Sequence, residues 1–209
     1  METLDTHKKH MAEIGKRLYN KGLVPGAAGN ISIKFENTVL ISPSGSCLGD
    51  LTHDDIVVID LEGNSSEEGK IPSSEKTMHL EIYRTRSDIQ AIVHAHPPKA
   101  TAFAVAGVAL DMPVLSEAVI VTGEIPVSEY AMPSSEKLAQ IVGGYFRNHN
   151  IVLLANHGIV SGGKNLKEAL YRTESAESYA EIVLGAKLLG NLNNLSPKEL
   201  EDLTKLKKA

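Results

Sequence analysis

Short apolar runs joined by only a few turn residues constrain the fold of this chain most. "GLVPGAAGNISIKF" (22–35) passes from clustered Gly and Pro to Ile31 and Ile33 alternating with polar residues, and "TVLISPSG" (38–45) follows almost at once as a second short strand. "NIVLLANHGIVSGG" (150–163) reads as strand, turn and strand. Runs this close pair as antiparallel hairpins, because a parallel pair needs a long crossover. Further strands are expected in "DIVVIDLEGN" (55–64), "AIVHAHPP" (91–98) and "AVIVTGEIPV" (118–127). Helical patterns lie between them. Residues 5–21 carry Ile14 and Leu18 on one stripe, and "PSSEKTMHLEIYRTR" (72–86) opens with serines, a helix start signal. A short helix is expected over 98–107, others over 134–146 and 165–190, and a last polar one from Ser196 onward. The interleaving predicts an α/β fold, a mixed, largely antiparallel sheet covered by helices. No repeat, linker or low-complexity segment stands out, and 209 residues suit one domain over residues 1–209.

Composition matters for what it excludes. A formal net charge of -5 leaves no electrostatic footprint for nucleic acid. The lone Cys47 cannot form an internal disulfide and suits a reducing compartment. The amphipathic N-terminus lacks the apolar centre of a signal peptide, and no segment reaches membrane-spanning length. A cytoplasmic location, away from membranes, is expected.

Two histidines, His94 and His96, sit one residue apart at the end of an apolar run. Side chains at i and i+2 of a strand share a face, so both imidazoles project together. They cannot both be protonated cheaply. Either they are core histidines bonded to backbone or carboxylate, or they share a metal ion. His157 in "LLANHGIV" also ends an apolar strand, and the following Gly158 permits a sharp turn. Three such histidines could converge on one tetrahedral Zn2+, leaving a fourth position open as catalytic sites do. His7, His10, His53 and His149 read as surface residues.

Glu75, at the start of its helix, is the candidate acid/base. A helix cap is the plainer role for a carboxylate there. His79, four residues on, shares its helix face and is a candidate partner for it. Neutral anion donors gather in three loops. "GAAGN" offers Asn30, "SPSG" offers Ser44 and Gly45, and "PSSE" offers Ser73 and Ser74 at a helix N-terminus.

The ordered set "GAAGNIS", "ISPSG", "PSSEKTMHLEIY", "IVHAHPP" and "LLANHGIV" resembles the zinc-dependent class II aldolase and adducin family across roughly residues 5–190. The resemblance implies a three-layer α/β/α fold and a homotetramer around a fourfold axis. It implies zinc held by His94, His96 and His157, with Glu75 as acid/base. Asn30, Ser44, Gly45, Ser73 and Ser74 would bind a substrate phosphate. The "SSE" of residues 73–75 resembles the family's aldolases and dehydratases, whereas its 4-epimerases carry "SSD".

The reaction so implied splits a ketose 1-phosphate, of the L-fuculose 1-phosphate kind, into dihydroxyacetone phosphate and an aldehyde. Zinc would take the charge left beside the carbonyl, and Glu75 would shuttle the proton at carbon 3. A methylthioribulose-1-phosphate dehydratase or a sugar-phosphate 4-epimerase would use the same zinc. An adducin-like interaction module would keep the fold without catalysis. Some family aldolases place a tyrosine shortly after the HxH segment and another near the C-terminus. Glu117 stands at about the first position, and "ELEDLTKLKKA" holds no tyrosine. Tyr130 is a candidate substitute proton donor, with an ordinary partly buried tyrosine as the alternative. Lys76 and Lys99 read as surface or phosphate-adjacent charges rather than Schiff-base lysines.

Overall fold

The sheet grows outward from β1 (Asn30–Phe35), which pairs antiparallel with both β2 (Thr38–Ile41) and β4 (Ala91–Ala95). A computed structural model of the protein describes residues 3–65 and 67–206. Its strand order is β3-β2-β1-β4-β7-β6-β5, with β3 at Val57–Asp60, β5 at Val127–Ser128, β6 at Ile151–Leu154 and β7 at Gly158–Gly163. All neighbours pair antiparallel except β5 and β6. The expected hairpins β1–β2 and β6–β7 are both present. The sheet is therefore mixed and largely antiparallel.

Strand alternation sorts the side chains into two apolar layers. Ile31, Ile33, Ala91 and Val93 pack with Met11 and Leu18 of α1 (Leu4–Asn20). Val39, Ile41 and Ile92 face the other way, against α2 (Lys76–Thr85) and α5 (Glu136–Phe146). On the first face, α3 (Pro98–Ala106) and α6 (Leu166–Leu189) close over Ile151, Leu153 and Ile159. Helices thus cover both faces of the sheet. The polar tail forms α7 (Pro197–Leu206). No helix among the described residues is long and apolar enough to cross a membrane.

One element differs from expectation. The apolar run "AVIV" opens no strand; it lies in α4 (Ser116–Val121), and the strand of this region is only Val127–Ser128. Four apolar residues carry no periodicity that separates a strand from a buried helical turn. Here Ala118 is the residue of that helix that is buried.

Cross-strand register delivers the polar residues of interest to one place. Asn30 is paired directly with His94. Asn30 and Ser32 share one face of β1, the face on which α2 lies. α6 fixes the chain just beyond β4. Glu177 accepts hydrogen bonds from the backbone N–H groups of Lys99 and Ala100, at 3.0–3.1 and 2.8 Å. It thereby caps α3, whose own N-cap Pro97 has no side chain able to do so.

Candidate metal centre and anion cradle

His94 is the next-to-last residue of β4, His96 follows the strand, and His157 sits in the turn between β6 and β7. Their ring centroids lie 4.7–5.0 Å apart. One potential ligand nitrogen from each falls within 4.8 Å of the others, and among the described residues these three form a group able to hold a metal ion. Nδ1 of His94 lies 2.9 Å from the carbonyl of Ile159 and donates to it, which turns the Nε2 lone pair toward the cluster. Nε2 of His96 is 3.0 Å from that same atom. At that distance either one ring donates an N–H to the other or both lone pairs face one cation.

Other observations fit a bound cation. Nδ1 of His157 and Oε1 of Glu75 are buried and lack a hydrogen-bond partner. A Cβ on Gly158 would come within 2.7 Å of Cδ2 of His96 and 2.6 Å of the Ala95 carbonyl. Glycine is needed there for close approach rather than for a sharp turn. The left-handed residue of the turn is Asn156, with φ of 56°.

Burial sets the protonation of these rings. It lowers the pKa of His96 to about 3, and repulsion from His94 and His157 adds to the effect. His157 is lowered to about 4, again by burial first and His94 second. Both are neutral at physiological pH, the form that binds metal.

Glu75 reaches into the cluster. Its Oε2 lies 3.1 Å from Nε2 of His94, and its Oε1 lies 3.7 Å from Nε2 of His157. It occupies the N-cap position of α2 yet makes no side-chain cap bond, so the capping role is not the one it plays. Burial opposes its ionisation. The contacts with His94, Asn30 and His157 outweigh burial and hold the carboxyl well below the ordinary carboxylate range. His79 does not touch Glu75. Its ring nitrogens lie 2.7 Å from Oγ of Ser32 and 2.6 Å from Oδ1 of Asn30.

The three anion-donor loops meet at the same place. Ser44 N–H donates to the Ile71 carbonyl and Ser73 N–H to that of Ser42, tying "SPSG" to "PSSE". Asn30, Ser44, Gly45, Ser73 and Ser74 line a cavity of about 220 Å³ together with Glu75, His96 and His157. Of the expected metal ligands, acid/base and phosphate donors, all but the fully buried His94 border this cavity. Pro133 and Ser134 border it too, and Oγ of Ser134 donates to Oγ of Ser74 at 2.9 Å. Sequence reasoning passed over these two. The signal was a short duplication, "PSSEK" at 72–76 and again at 133–137.

The remaining candidates stay outside. Lys76 donates to the Gly63 carbonyl, and Lys99 pairs with Glu177 and Glu181. Tyr130 is exposed on the loop after β5, and Glu117 is exposed on α4. His7, His10, His53 and His149 are partly exposed, and none joins the cluster.

Residues 9–184 match the Class II Aldolase and Adducin N-terminal domain family. The chain belongs to that family. It is 34% identical over 205 residues to a 5-deoxy-D-ribulose 1-phosphate aldolase of Bacillus thuringiensis serovar kurstaki, covering 97% of this chain and 95% of that protein. It is 33% identical over 206 residues to a 3-oxo-tetronate 4-phosphate decarboxylase of Haemophilus influenzae, covering 93% and 96%. A solved L-fuculose 1-phosphate aldolase superposes with a TM-score of 0.90 at 35% identity, covering 97% of this chain and 96% of the other. The fold is thus that of the class II aldolases, and the chain is a lyase of this family.

Proposed function

We propose that this protein is a zinc-dependent aldolase that cleaves a ketose 1-phosphate between carbons 3 and 4. The products are dihydroxyacetone phosphate and an aldehyde. One observation carries the reading: the Glu75 carboxylate lies beside the three-histidine cluster, at the wall of a cavity lined by five neutral anion donors. The aldolase relatives support a substrate of the 5-deoxyribulose or fuculose 1-phosphate kind.

His94, His96 and His157 would hold the metal, and three neutral nitrogen donors without a thiolate suit zinc with an open coordination position. The bound ion supplies Lewis acidity for the charge that develops on the substrate's carbonyl oxygen. Asn30, Ser44, Gly45, Ser73 and Ser74 grip the phosphate through neutral donors and so fix which carbon faces Glu75. Glu75, ionised before substrate arrives, takes the proton from carbon 3 in the condensation direction. In cleavage the proton released by the carbon-4 hydroxyl as the aldehyde forms passes to Glu75, which delivers it to carbon 3. The homotetramer implied by the family resemblance belongs to the same proposal. Exposed Val105, Ile182, Leu188 and Leu189 are apolar surface that such an assembly would cover.

The decarboxylase relative supports a second reading, in which carbon dioxide replaces the aldehyde as leaving group. Both reactions leave an electron pair beside a carbonyl, so one site serves either. A panel of phosphorylated ketoses and oxo acids, assayed with and without a chelator, decides. Chelator-sensitive release of dihydroxyacetone phosphate is the expected result. Carbon dioxide release from an oxo acid 4-phosphate, with no aldehyde formed from any ketose 1-phosphate, would replace the aldolase reading by the decarboxylase one.

A further inference from the structure

A line of buried polar side chains runs from α2 into the site, and the reaction does not itself call for it. The hydroxyls of Tyr83 and Ser32 lie 2.7 Å apart, and Oγ of Ser32 lies 2.7 Å from Nδ1 of His79. Nε2 of His79 lies 2.6 Å from Oδ1 of Asn30, whose Nδ2 donates to Oε2 of Glu75 at 2.9 Å. Ser32 and His79 are completely buried, and Tyr83 and Asn30 nearly so.

Chemistry fixes the direction of every bond in this line. A carboxylate only accepts, so the amide of Asn30 must turn its NH2 to Glu75 and its oxygen to His79. That oxygen also only accepts, so Nε2 of His79 carries the ring hydrogen. Burial, with repulsion from His94, lowers the His79 pKa to about 3, so the ring is neutral and holds one hydrogen. Nδ1 therefore accepts from Ser32, and Ser32 in turn accepts from Tyr83. The neighbouring Met78, Leu80 and Ile82 pack in apolar surroundings, and that layer alone gives no reason for an imidazole.

We propose that His79 is a positioning residue: its Nε2–H holds the Asn30 amide with the NH2 group facing Glu75 and the anion cradle. Without that bond the amide is free to rotate and present its oxygen to two anionic groups, the carboxylate and the substrate phosphate. A buried network whose members are all satisfied is rigid, which suits this task. The proposal rests on Glu75 being the proton shuttle.

The first test uses the native zinc-loaded protein. Nitrogen NMR of the histidines should show His79 neutral, with hydrogen on Nε2 and not on Nδ1. Hydrogen on Nδ1 would overturn the proposal. The second test measures metal content and solvent exchange of the carbon-3 proton of dihydroxyacetone phosphate. His79→Leu should keep its zinc and lose about 10–100-fold in exchange, the usual effect of removing an orienting partner. His79→Gln, which keeps a donor near the place of Nε2, should recover most of it. Leucine matching the native rate would refute the role, and so would glutamine no better than leucine. Should the leucine variant not fold, a glutamine variant as impaired in exchange as Glu75→Gln refutes it. A native protein that exchanges no such proton defeats the aldolase reading instead. That failure shows in the native protein, and the tautomer measurement is independent of it.

Discussion

Oε2 of Glu75 lies 3.1 Å from Nε2 of His94, although the two residues come from different elements, α2 and β4. Asn30 is the bridge. It is paired with His94 across β1 and β4, and it donates to the same carboxylate oxygen. The acid/base candidate is therefore locked to the metal-ligand strand by the sheet's register, and its ionised form is stabilised there.

Glu75→Gln tests that arrangement most directly. Glu75 makes no cap bond, so the variant should melt close to the native protein and retain its zinc. Glutamine cannot carry the proton, and turnover should fall by roughly 10²–10⁴. Elemental analysis, melting and the exchange assay on one preparation check all three. Normal exchange would remove Glu75 from the mechanism.

Much of the site was legible because strand periodicity is a local rule. His94 and His96 share a face for a reason visible in five residues, and His157 repeats the strand-end pattern. The donor loops were legible as separate loops, but only the backbone ties between Ser44 and Ile71 and between Ser42 and Ser73 make them one cradle. His79 shows where local reasoning ends. Its spacing from Glu75 pointed to a contact along the helix, whereas Asn30 and Ser32 reach it from a strand more than forty positions away. Within "AVIVTGEIPV" the expected strand begins only at Val127, and the "AVIV" run is helical, since four apolar residues fit either a strand or a helical turn.

Gly158→Ala should cost the metal before it costs the fold. The added Cβ would meet Cδ2 of His96 at 2.7 Å and the rigid Ala95 carbonyl at 2.6 Å. Backbone cannot yield cheaply, so the imidazole moves, and overpacking of this kind costs about 1–3 kcal/mol. Zinc titration should show weaker binding than in the native protein. A variant of native zinc affinity would show that His96 is not a ligand.

Ser44→Ala should act on binding and spare the chemistry. Removing one hydrogen bond to a charged group costs about 1.5–3 kcal/mol, roughly a 10–100-fold rise in KM for the phosphorylated ketose. The unphosphorylated sugar, which never used the cradle, should be handled as before. An equal loss on both substrates would place Ser44 outside the phosphate site.

Acid should unfold the zinc-stripped protein in a predictable window. His79, His96 and His157 are held neutral in the fold, their pKa values lowered to about 3, 3 and 4, chiefly by burial. In the unfolded chain each returns to about 6.5. Between those values the unfolded state binds more protons, so stability is complete above pH ~6.5 and falls as pH drops toward ~4. With three protons involved, the loss approaches about 4 kcal/mol per pH unit at its steepest. Glu75, whose pKa is depressed, adds to the loss in the same direction below the ordinary carboxylate range. Denaturant melts of chelator-treated protein at about pH 7, 6 and 5 measure the slope. Bound zinc should raise stability at each pH, and by less in acid, because protons compete for the same nitrogens. A midpoint that stays flat from about pH 7 to 5 would show that these imidazoles are not held neutral by the fold.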